Sequence, residues 1–399
     1  MYRKKIIILS QCMEIGGAER ALLGLLNSFD YTRYDVDLFL ARQEGELLNL
    51  IPKCVNLLPC NQAQYLAVPM KGLLAKFQLK MFYGRLKAKY FAKKRIREEH
   101  LMGENQVELT YSHKYTYSYI DPIGQDKEYD LAISFLTPHY ICLHKVNAKK
   151  KVAWIHTDYS TIDIDVVAEY DMWKGYDHIV SISEKCTEAF LTKFPRLNDK
   201  VIRIDNIITR EMIEKQAEVT MHKCEMKGDF IKLLSVGRFT YAKNFDNIPE
   251  ICKYIVTSGI NVKWYLIGYG RDEELINSKI DEYHMQNHVI LLGKTENPYP
   301  YIRECDIYVQ PSRYEGKAVT VREAQILQKP VVITDFPTAK AQLEDGYDGL
   351  IVPADNQGCA TGIINLIKNR KLQEKLINNM RQEEYSNESE ISKIYSLME

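Results

Sequence analysis

Short apolar runs alternate with helical stretches along the second half of the chain. The apolar runs have the length of buried strands and end in glycine or polar residues. They predict strands at residues 231–237, 262–268, 289–293, 307–310, 331–334 and 350–352. The stretches between them predict helices at residues 248–257, 272–285, 299–304 and 318–328. This alternation predicts right-handed βαβ units that form a parallel sheet.

The first half of the chain repeats the pattern with longer interruptions. Its apolar runs predict strands at residues 6–10, 36–40, 55–58, 130–135, 152–155, 179–182 and 201–204. Between about 206 and 229 the pattern lapses into Glu- and Lys-rich sequence, so we place a linker at 207–229. The fold class is therefore α/β, with two doubly wound parallel-sheet domains, 1–206 and 230–399, and a cleft between them. Ligands of such sheets bind beyond the carboxyl ends of the strands.

Composition and charge exclude several classes of protein. The 399 residues are 46% hydrophobic and 27% charged, and 53 Lys and Arg balance 53 Asp and Glu. These values are typical of a folded protein and exclude a disordered chain or one that binds polyanions over its whole surface. No apolar run reaches the roughly 18 residues needed to span a bilayer, and the run Ile6 to Leu9 is too short for a signal peptide.

The cysteines indicate a reducing compartment. There are nine, an odd number, without a C-x-x-C pair. Most lie in apolar stretches, which is typical of buried free thiols. We therefore expect a cytoplasmic protein.

The strongest candidate site begins after the predicted strand at 307–310. Glu315 and Glu323 are eight residues apart, with Gly316 between them and a helix start close behind. The amides of Lys317, Ala318 and Val319 would be free helix N-terminal donors aimed at an anion. This order of residues along the chain suits a ligand with a sugar near Glu315, a phosphate at the helix start and ribose hydroxyls at Glu323. The alternative is an ordinary surface helix with two solvated glutamates.

A second candidate follows the predicted strand at 231–237. Arg238 and Lys243 lie in a loop beyond the strand end, where two fixed cations could neutralise a diphosphate. If the diphosphate is a leaving group, they would also stabilise its developing charge. The alternative is a pair of exposed surface cations.

Two glycine-rich loops are weaker candidates. Gly16 and Gly17 follow the first strand and would allow close backbone approach at a helix start. Gly268 and Gly270 resemble part of a dinucleotide-binding fingerprint, but Glu273 replaces its third glycine. A simple tight turn explains that second loop equally well.

His156 and an Asp-x-Asp pair are two further features of the first half of the chain. His156 ends a predicted strand and could bind a substrate hydroxyl or carbonyl, although a single histidine is more often structural. Asp163 and Asp165 have the spacing of a metal-binding pair, but no clear strand precedes them, and we interpret them as a solvated loop or helix start. No zinc, Walker A or G-x-S-x-G motif is present.

Residues 71–97 form a cationic segment, which contains ten Lys and Arg and no Asp or Glu. Apolar residues recur in it at three- and four-residue spacing, which predicts an amphipathic helix for an anionic membrane surface. The membrane-facing cations would be Lys76, Lys80, Arg85, Lys87, Lys93 and Lys94. The alternatives are a solvated helix packed on the first domain and a nucleic-acid site, but no nucleic-acid motif accompanies the segment.

These motifs together resemble the family 4 (group 1) glycosyltransferases, which have the GT-B architecture of two facing Rossmann-like domains. The stretch SRYEGKAVTVREAQILQKPVVIT is similar to the family's E-x7-E signature, and VGRFTYAKN to its phosphate-binding element. GGAER is similar to the glycine loop of the first domain and WIHTD to its histidine motif. Such sequences are common in bacterial capsule, exopolysaccharide and lipopolysaccharide assembly.

The resemblance implies retaining, metal-independent transfer from a nucleotide sugar to a glycan or lipid-linked acceptor, with no cofactor. It implies that Glu315 contacts the donor sugar and Glu323 the ribose, and that His156 lies near the reacting carbon. The diphosphate would be held by a larger set, namely Arg238, Lys243, Gly17 and the loop Gly316, Lys317, Ala318 and Val319. Gly16 would lie on the acceptor side. Lys317 and Ala318 stand where many members of the family have an aromatic or apolar residue followed by proline.

The sequence is also compatible with two other functions. A nucleotide-sugar epimerase has the same architecture but needs acid/base groups around the sugar and no acceptor. A non-catalytic, membrane-associated partner of another transferase would not need the set Glu315, Glu323, Arg238 and Lys243. A NAD-dependent dehydrogenase is disfavoured by the missing fingerprint. We expect a location at the inner face of the cell membrane as a peripheral protein.

Overall fold

The chain folds into two compact units. A computed structural model describes residues 3–101, 104–125, 127–137, 139–219, 226–315 and 318–399. The first unit comprises residues 1–208 together with 388–399, and the second comprises 209–387. Each has its own parallel sheet covered by helices, as the apolar pattern predicted.

The first unit contains a seven-stranded sheet in the order β3-β2-β1-β4-β5-β6-β7, with every neighbouring pair parallel. Its strands are β1 Lys4–Ser10, β2 Tyr34–Leu40, β3 Asn56–Leu58, β4 Tyr129–Ser134, β5 Ala148–Ile155, β6 His178–Ser181 and β7 Val201–Arg203. All seven were predicted from the sequence. The chain builds outward from β1 in one direction and then returns to place β4 on its other side. The switch point of this sheet therefore lies between β1 and β4, where such sheets bind ligands.

Helices cover both faces of this sheet, which explains the unbroken apolar runs of its central strands: Ile6 to Leu9 are fully buried. The helices are α1 Gly17–Ser28, α2 Met70–Ala75, α3 Leu79–Glu98, α4 Glu104–Thr116, α5 His139–Lys145, α6 Val166–Lys174 and α7 Glu184–Lys193. Short 3₁₀ helices occur at Glu46–Leu50, Asn61–Leu66, Tyr117–Tyr119 and Pro195–Lys200. The hairpin of α3 and α4 fills the long interruption between β3 and β4.

The second unit contains a six-stranded parallel sheet in the order β10-β9-β8-β11-β12-β13. Its strands are β8 Ile231–Val236, β9 Val262–Ile267, β10 Val289–Gly293, β11 Ile307–Gln310, β12 Val331–Thr334 and β13 Leu350–Val352. They coincide with the predicted strands to within one residue. The switch point here lies between β8 and β11.

The helices of the second unit are α8 Arg210–Ala217, α9 Ile248–Thr257, α10 Glu273–Tyr283, α11 Tyr299–Glu304, α12 Val319–Ile326, α13 Ala339–Gln342, α14 Asn356–Lys368 and α15 Arg370–Met380. Two 3₁₀ turns, Tyr241–Lys243 and Phe245–Asn247, follow β8. No helix in the described part of the chain has both the length and the apolar character required to cross a bilayer.

The boundaries of the two units differ from the ranges expected from the sequence. Helix α8 lies in the expected linker but packs with the second unit, where the Asn297 side chain donates to the Gln216 carbonyl at 2.7 Å. The last residues, with a 3₁₀ turn at Glu388–Glu390 and helix α16 Ile391–Ser396, return to the first unit. There the Tyr395 ring stacks on Tyr34 at 4.2 Å. Such a long-range pairing leaves no periodic signal in the sequence.

Candidate active site

Two loops of the second unit meet because their strands are neighbours. Strand β8 pairs with β11 through Leu233 and Leu234, so the loops that follow both strands lie at the same edge of the sheet. One loop carries Arg238 and Lys243, and the other carries Glu315. The structure thus brings the two strongest sequence candidates to the switch point of the sheet, where a ligand is expected.

Glu315 and Lys243 form an ion pair. Lys243 Nζ lies 2.5 Å from Glu315 Oε1, and the side chains are only 23% and 8% exposed. The same carboxylate oxygen accepts hydrogen bonds from Ser312 Oγ at 2.7 Å and Gln310 Nε2 at 3.2 Å. Three donors therefore fix the orientation of Glu315. The sequence placed these two residues in separate loops with separate roles and did not predict that they pair.

Arg238 is exposed on the same loop as Lys243. The backbone beside it is closely packed: a Cβ on Gly268 would lie 1.8 Å from the Gly237 carbonyl oxygen, and one on Gly270 would lie 2.3 Å from that of Phe239. Both glycines also have positive φ angles, +157° and +158°. Close packing against the Arg238 loop therefore requires glycine at both positions, and the dinucleotide fingerprint is not needed to explain them.

Arg313 holds the two loops together, although no pattern in the sequence selects it. Its guanidinium contacts both carboxylate oxygens of Asp246 at 2.8 and 2.7 Å and lies 4.2 Å from the centre of the Tyr241 ring. The Arg313 backbone amide also donates to the Ala242 carbonyl at 2.8 Å. These contacts hold the loop after β11 against the loop after β8, and so position Lys243 next to Glu315.

The start of α12 differs from its expected form. The Ala318 amide donates to Gln342 Oε1 at 2.8 Å, so it is already paired and is not a free donor for an anion. Val319 is the first residue of the helix and is exposed. Gly316 and Lys317, the other expected phosphate contacts of this loop, lie outside the described residues. The pairing with Gln342 joins residues 24 positions apart and has no sequence signature.

Glu323 lies on the second turn of α12 and is 4% exposed. Tyr299 Oη donates to its Oε1 at 2.9 Å. The alternative of a solvated surface glutamate is therefore wrong for Glu323. The contact between this carboxylate and a ribose stays a prediction.

The glycine loop of the first unit lies at the start of α1. The helix begins at Gly17, with Gly16 as its N-cap. A Cβ on Gly17 would meet nothing within 4 Å, so packing within this unit does not require glycine there. Approach of a ligand to this backbone remains the role predicted for both residues.

His156 follows β5 at the carboxyl edge of the first sheet. Burial lowers the pKa of His156 to about 4, although a hydrogen bond to the Phe135 carbonyl acts in the opposite direction. The imidazole is therefore neutral at physiological pH. A neutral ring can exchange hydrogen bonds with a sugar hydroxyl, whereas it provides no positive charge for a phosphate.

The Asp-x-Asp pair starts a helix, as one of the two interpretations proposed. Asp165 is the N-cap of α6 and accepts from the Val167 and Ala168 amides, but it is buried rather than solvated. Tyr111 Oη and Arg95 Nε also donate to it, at 2.8 and 3.0 Å. Burial opposes its ionisation, yet these donors outweigh that effect and lower the pKa of Asp165. No cluster of three or more His, Cys, Asp or Glu suited to a metal occurs among the described residues.

The cationic segment is helical but divided. It comprises α2 and α3, separated at Phe77, whose φ is +54°. Five of the six selected cations are exposed: Lys76, Lys80, Lys87, Lys93 and Lys94. Arg85 is the exception, because its half-buried guanidinium donates to the carbonyls of Tyr65 and Val68. Arg85 therefore anchors α3 to the first unit.

The apolar residues of this segment lie in two different environments. Leu73 and Met81 are buried in the core of the first unit. Six others are exposed among the lysines, and Phe77 is 85% exposed. These six residues are Leu74, Phe77, Leu79, Tyr83, Leu86 and Tyr90, which we call the outer face of α2 and α3. A surface that mixes exposed large apolar groups with lysines is unusual for a face that contacts only water.

The described cysteines are free thiols. Cys12, Cys142, Cys252, Cys305 and Cys359 are buried. Burial raises the pKa of Cys142, Cys252, Cys305 and Cys359 to about 12, so these are inert core residues. Cys54 is exposed, while Cys60 and Cys186 are half-buried.

Comparison with known proteins identifies the family that the second unit resembles. Residues 218–383 match the family model described as glycosyl transferases group 1. The resemblance expected from the loops around Glu315 and Arg238 is therefore confirmed for this part of the chain.

Curated relatives match over part of their length. The poly(ribitol-phosphate) alpha-N-acetylglucosaminyltransferase of Staphylococcus aureus strain COL is 27% identical over 167 residues, 41% of this chain and 34% of that protein. The N-acetylgalactosamine-N,N'-diacetylbacillosaminyl-diphospho-undecaprenol 4-alpha-N-acetylgalactosaminyltransferase of Campylobacter jejuni is 27% identical over 198 residues, 49% of this chain and 52% of that protein. The first curated relatives are thus matched over about a third to a half of their length.

A solved structure matches the whole chain. It is a mutant of Staphylococcus aureus TarM in complex with Fondaparinux, alpha-GlcNAc-glycerol and UDP. The alignment covers 99% of both chains with a TM-score of 0.64 and 15% sequence identity. At that identity the likeness shows the fold, and the GT-B class expected from the sequence is confirmed.

Proposed function

We propose that the protein is a glycosyltransferase that moves a sugar from a nucleotide-sugar donor to a glycan or lipid-linked acceptor in the synthesis of a surface polysaccharide. The observation that carries this proposal is the grouping of Arg238, Lys243 and Glu315 at the switch point of the second sheet. Cations suit the diphosphate of a donor, and a fixed carboxylate suits the hydroxyl groups of its sugar.

The geometry suggests how the loops after β8 and β11 together bind the nucleotide sugar. The Lys243 ammonium has three N–H groups, so it can keep its ion pair with Glu315 and also donate a hydrogen bond to a phosphate oxygen. Arg238 offers a second, planar donor group from the same loop. As the sugar leaves, both cations stabilise the negative charge that develops on the diphosphate. Because two side chains supply this positive charge, we propose that transfer is independent of a metal.

The resemblance and the relatives suggest which stereochemistry and which donor to test first. We propose retention at the reacting carbon, as the resemblance implies, with Glu315 contacting the sugar rather than attacking it. UDP is bound in the TarM structure, and the acceptor named for the Campylobacter relative is linked to diphospho-undecaprenol. We therefore propose a uridine diphosphate sugar as the first donor to test and a polyprenyl diphosphate-linked glycan as the first acceptor.

An assay with and without acceptor tests the proposal. Thermal stabilisation by a panel of nucleotide sugars first selects the donor. With that donor we expect transfer and release of nucleoside diphosphate when the acceptor is present, and a product with the donor's anomeric configuration. Turnover should remain unchanged by EDTA. The products are identified by mass spectrometry and NMR.

The alternatives give different products in the same assay. An epimerase would convert the nucleotide sugar into an isomer without any acceptor. A non-catalytic partner would turn over no donor, in either condition. Either result with a donor that stabilises the protein would overturn the proposed transfer, and inhibition by EDTA would overturn metal independence alone.

The outer face of α2 and α3 supports a peripheral location at the inner face of the cell membrane. We expect liposomes with anionic lipid to bind the protein and neutral liposomes to bind it weakly. Replacing Lys76, Lys80, Lys93 and Lys94 with Gln should weaken binding by roughly fivefold per lysine. Raising the salt concentration should have a similar effect, because it screens exposed charges. Sedimentation with liposomes measures both.

A matched variant controls for total charge. Replacing Lys368, Arg370, Lys371 and Lys375 with Gln removes four exposed cations from α14 and α15 and should leave liposome binding unchanged. If this variant loses binding equally, or if binding is insensitive to salt, the cationic segment is not the membrane contact.

A further inference from the structure

The loop between β11 and α12 carries Glu315 and lies beside the segment that follows β12. Strand β12 pairs with β11, so the chain leaves both strands at the same edge of the sheet. The described residues of the loop, 311–315 and 318, belong to no helix or strand. Buried backbone groups in such a loop need partners outside a regular backbone ladder.

Side chains of the segment after β12 provide these partners at regular intervals. Three side chains four residues apart contact three loop residues three apart. The contacts are Thr334 Oγ1 to the Ser312 carbonyl at 2.6 Å, Thr338 Oγ1 to the Glu315 carbonyl at 2.8 Å, and the Gln342 amide to the backbone of Ala318. The loop is therefore held at its start, at Glu315 and at its end.

Gln342 uses both ends of its side-chain amide. Its Oε1 accepts from the Ala318 N–H at 2.8 Å, and its Nε2 donates to the Ala318 carbonyl at 3.3 Å. A backbone N–H can only donate, which fixes the orientation of the amide. The two residues are 3% and 2% exposed, so an unpaired backbone group here would be costly.

These contacts fix the backbone on which two candidate donor contacts depend. Ala318 is the N-cap of α12, the helix that carries Glu323. Thr338 holds the backbone of Glu315, whereas the carboxylate of Glu315 is oriented separately by the donors described above. A functional group has to be held within about 0.5 Å of its productive position, and that requires support for its backbone as well as for its side chain.

We propose that Gln342 and Thr338 are positioning residues for the binding of the nucleotide sugar, Gln342 through the backbone of Ala318 and Thr338 through that of Glu315. The assignment rests on the proposed transferase function and extends it to α13 and its N-cap, which no sequence motif selects. Both residues act by keeping the loop in its productive arrangement.

The first test is Gln342→Ala, which leaves the buried backbone of Ala318 without its partner. The loop should then favour arrangements in which water pairs with these groups. We expect kcat/KM for the nucleotide sugar to fall by about tenfold, since apparent affinity falls with the fraction of competent molecules. The KM of the acceptor should not change. Steady-state kinetics with each substrate varied in turn measure both.

A glutamine elsewhere in the second unit provides the matched control. Gln373 Nε2 donates to the Leu366 carbonyl at 2.8 Å, where α14 ends. Gln373→Ala therefore removes a comparable contact between a side chain and the backbone. Its kinetics should stay within about twofold of the parent. An equal loss in this variant would show a general effect on the unit and overturn the assignment.

Proline at position 318 separates positioning from a simple loss of stability. Proline has no N–H and holds φ near −65 ± 15°, and Ala318 has φ −80°. In Ala318→Pro alone, the ring would collide with Gln342 Oε1, which lies 2.8 Å from the Ala318 nitrogen. Combined with Gln342→Ala, the ring has room and the N–H that needed a partner is gone. The double variant should return to within about threefold of the parent.

Independent destabilising substitutions would add their effects, so recovery in the double variant requires that the two residues act through their contact. A double variant no better than Gln342→Ala would overturn the assignment of Gln342.

Thr338 is tested by a pair of substitutions. Thr338→Val keeps the shape and removes the hydroxyl, so kcat/KM for the nucleotide sugar should fall by about fivefold, the effect of one hydrogen bond. Thr338→Ser keeps the hydroxyl and should behave as the parent. Thr361→Val is the control, because Thr361 Oγ1 donates to the Gln357 carbonyl within α14. Equal kinetics in Thr338→Val and Thr338→Ser would overturn the role of Thr338.

Hydrogen–deuterium exchange keeps this inference separate from the proposed function. Mass spectrometry with fragmentation resolves the Ala318 amide, which should exchange about tenfold faster in Gln342→Ala and at the parent rate in Gln373→Ala. Faster exchange in a chain whose parent turns over no nucleotide sugar would support the hold on the loop and contradict the proposed function. An unchanged exchange rate, or unchanged turnover of an active parent in Gln342→Ala, would overturn the assignment.

Discussion

Replacing Lys243 with Met should lower kcat/KM for the nucleotide sugar by about 10²- to 10³-fold, the loss expected when one preorganised charge-stabilising donor is removed. Methionine retains most of the apolar stem, which lies about 3.5 Å from the position of a Cβ on Gly237. The loop after β8 should therefore keep its packing. What disappears is the ammonium group that contacts Glu315 and, as we propose, the diphosphate.

The affinity for UDP separates this role from a structural one. We expect it to fall by about tenfold or more in Lys243→Met, because hydrogen bonds to charged groups contribute roughly 1.5–3 kcal/mol. Isothermal titration calorimetry measures the affinity, and circular dichroism shows whether the fold is retained. A folded variant that binds UDP as tightly as the parent chain would contradict the phosphate assignment.

A second ion pair at the opposite end of the same strands provides the control. Lys232, at the start of β8, lies 2.6 Å from Glu304, which precedes β11. Lys232→Met therefore makes the same chemical change at the amino edge of the sheet. Its turnover and UDP affinity should stay within about twofold of the parent, because ligands of doubly wound sheets bind at the other edge.

Much of the fold could be predicted because its signals are local. Buried parallel strands appear as short apolar runs, such as 331–334, and the helices between them follow from the alternation. The loops of the candidate site could be selected for the same reason. Once Ile231–Val236 and Ile307–Gln310 are strands, Arg238, Lys243 and Glu315 must follow strand ends.

The remaining features depend on contacts between distant residues. The engagement of the Ala318 amide by Gln342 and the bonding of Arg313 to Asp246 join separate parts of the second unit. Arg85 has the same local pattern as its lysine neighbours, yet the carbonyls of Tyr65 and Val68 turn it inward. No composition or spacing distinguishes such residues, because the geometry that selects them exists only after the chain has folded.

The other large effect is expected at the partner of Lys243. Replacing Glu315 with Gln should lower kcat by about 100-fold, in the range found when one preorganised polar group is lost from an active site. Glutamine can keep its side-chain carbonyl in the place of Oε1, where Lys243, Ser312 and Gln310 donate. It replaces Oε2, an acceptor for sugar hydroxyls, with an amide that can only donate.

The sign of the effect on UDP binding distinguishes Glu315 from Lys243. In Glu315→Gln the ammonium of Lys243 no longer faces a negative charge, so its attraction to a diphosphate is undiminished. We therefore expect UDP to bind as tightly as in the parent chain or more tightly, while turnover falls. Glu304→Gln, at the control ion pair, should change neither quantity. Weaker UDP binding in Glu315→Gln would show that the carboxylate orders the phosphate loop instead of contacting the sugar. Removal of a negative charge does not by itself weaken the binding of an anion, so the weaker binding would have to come from loss of that order.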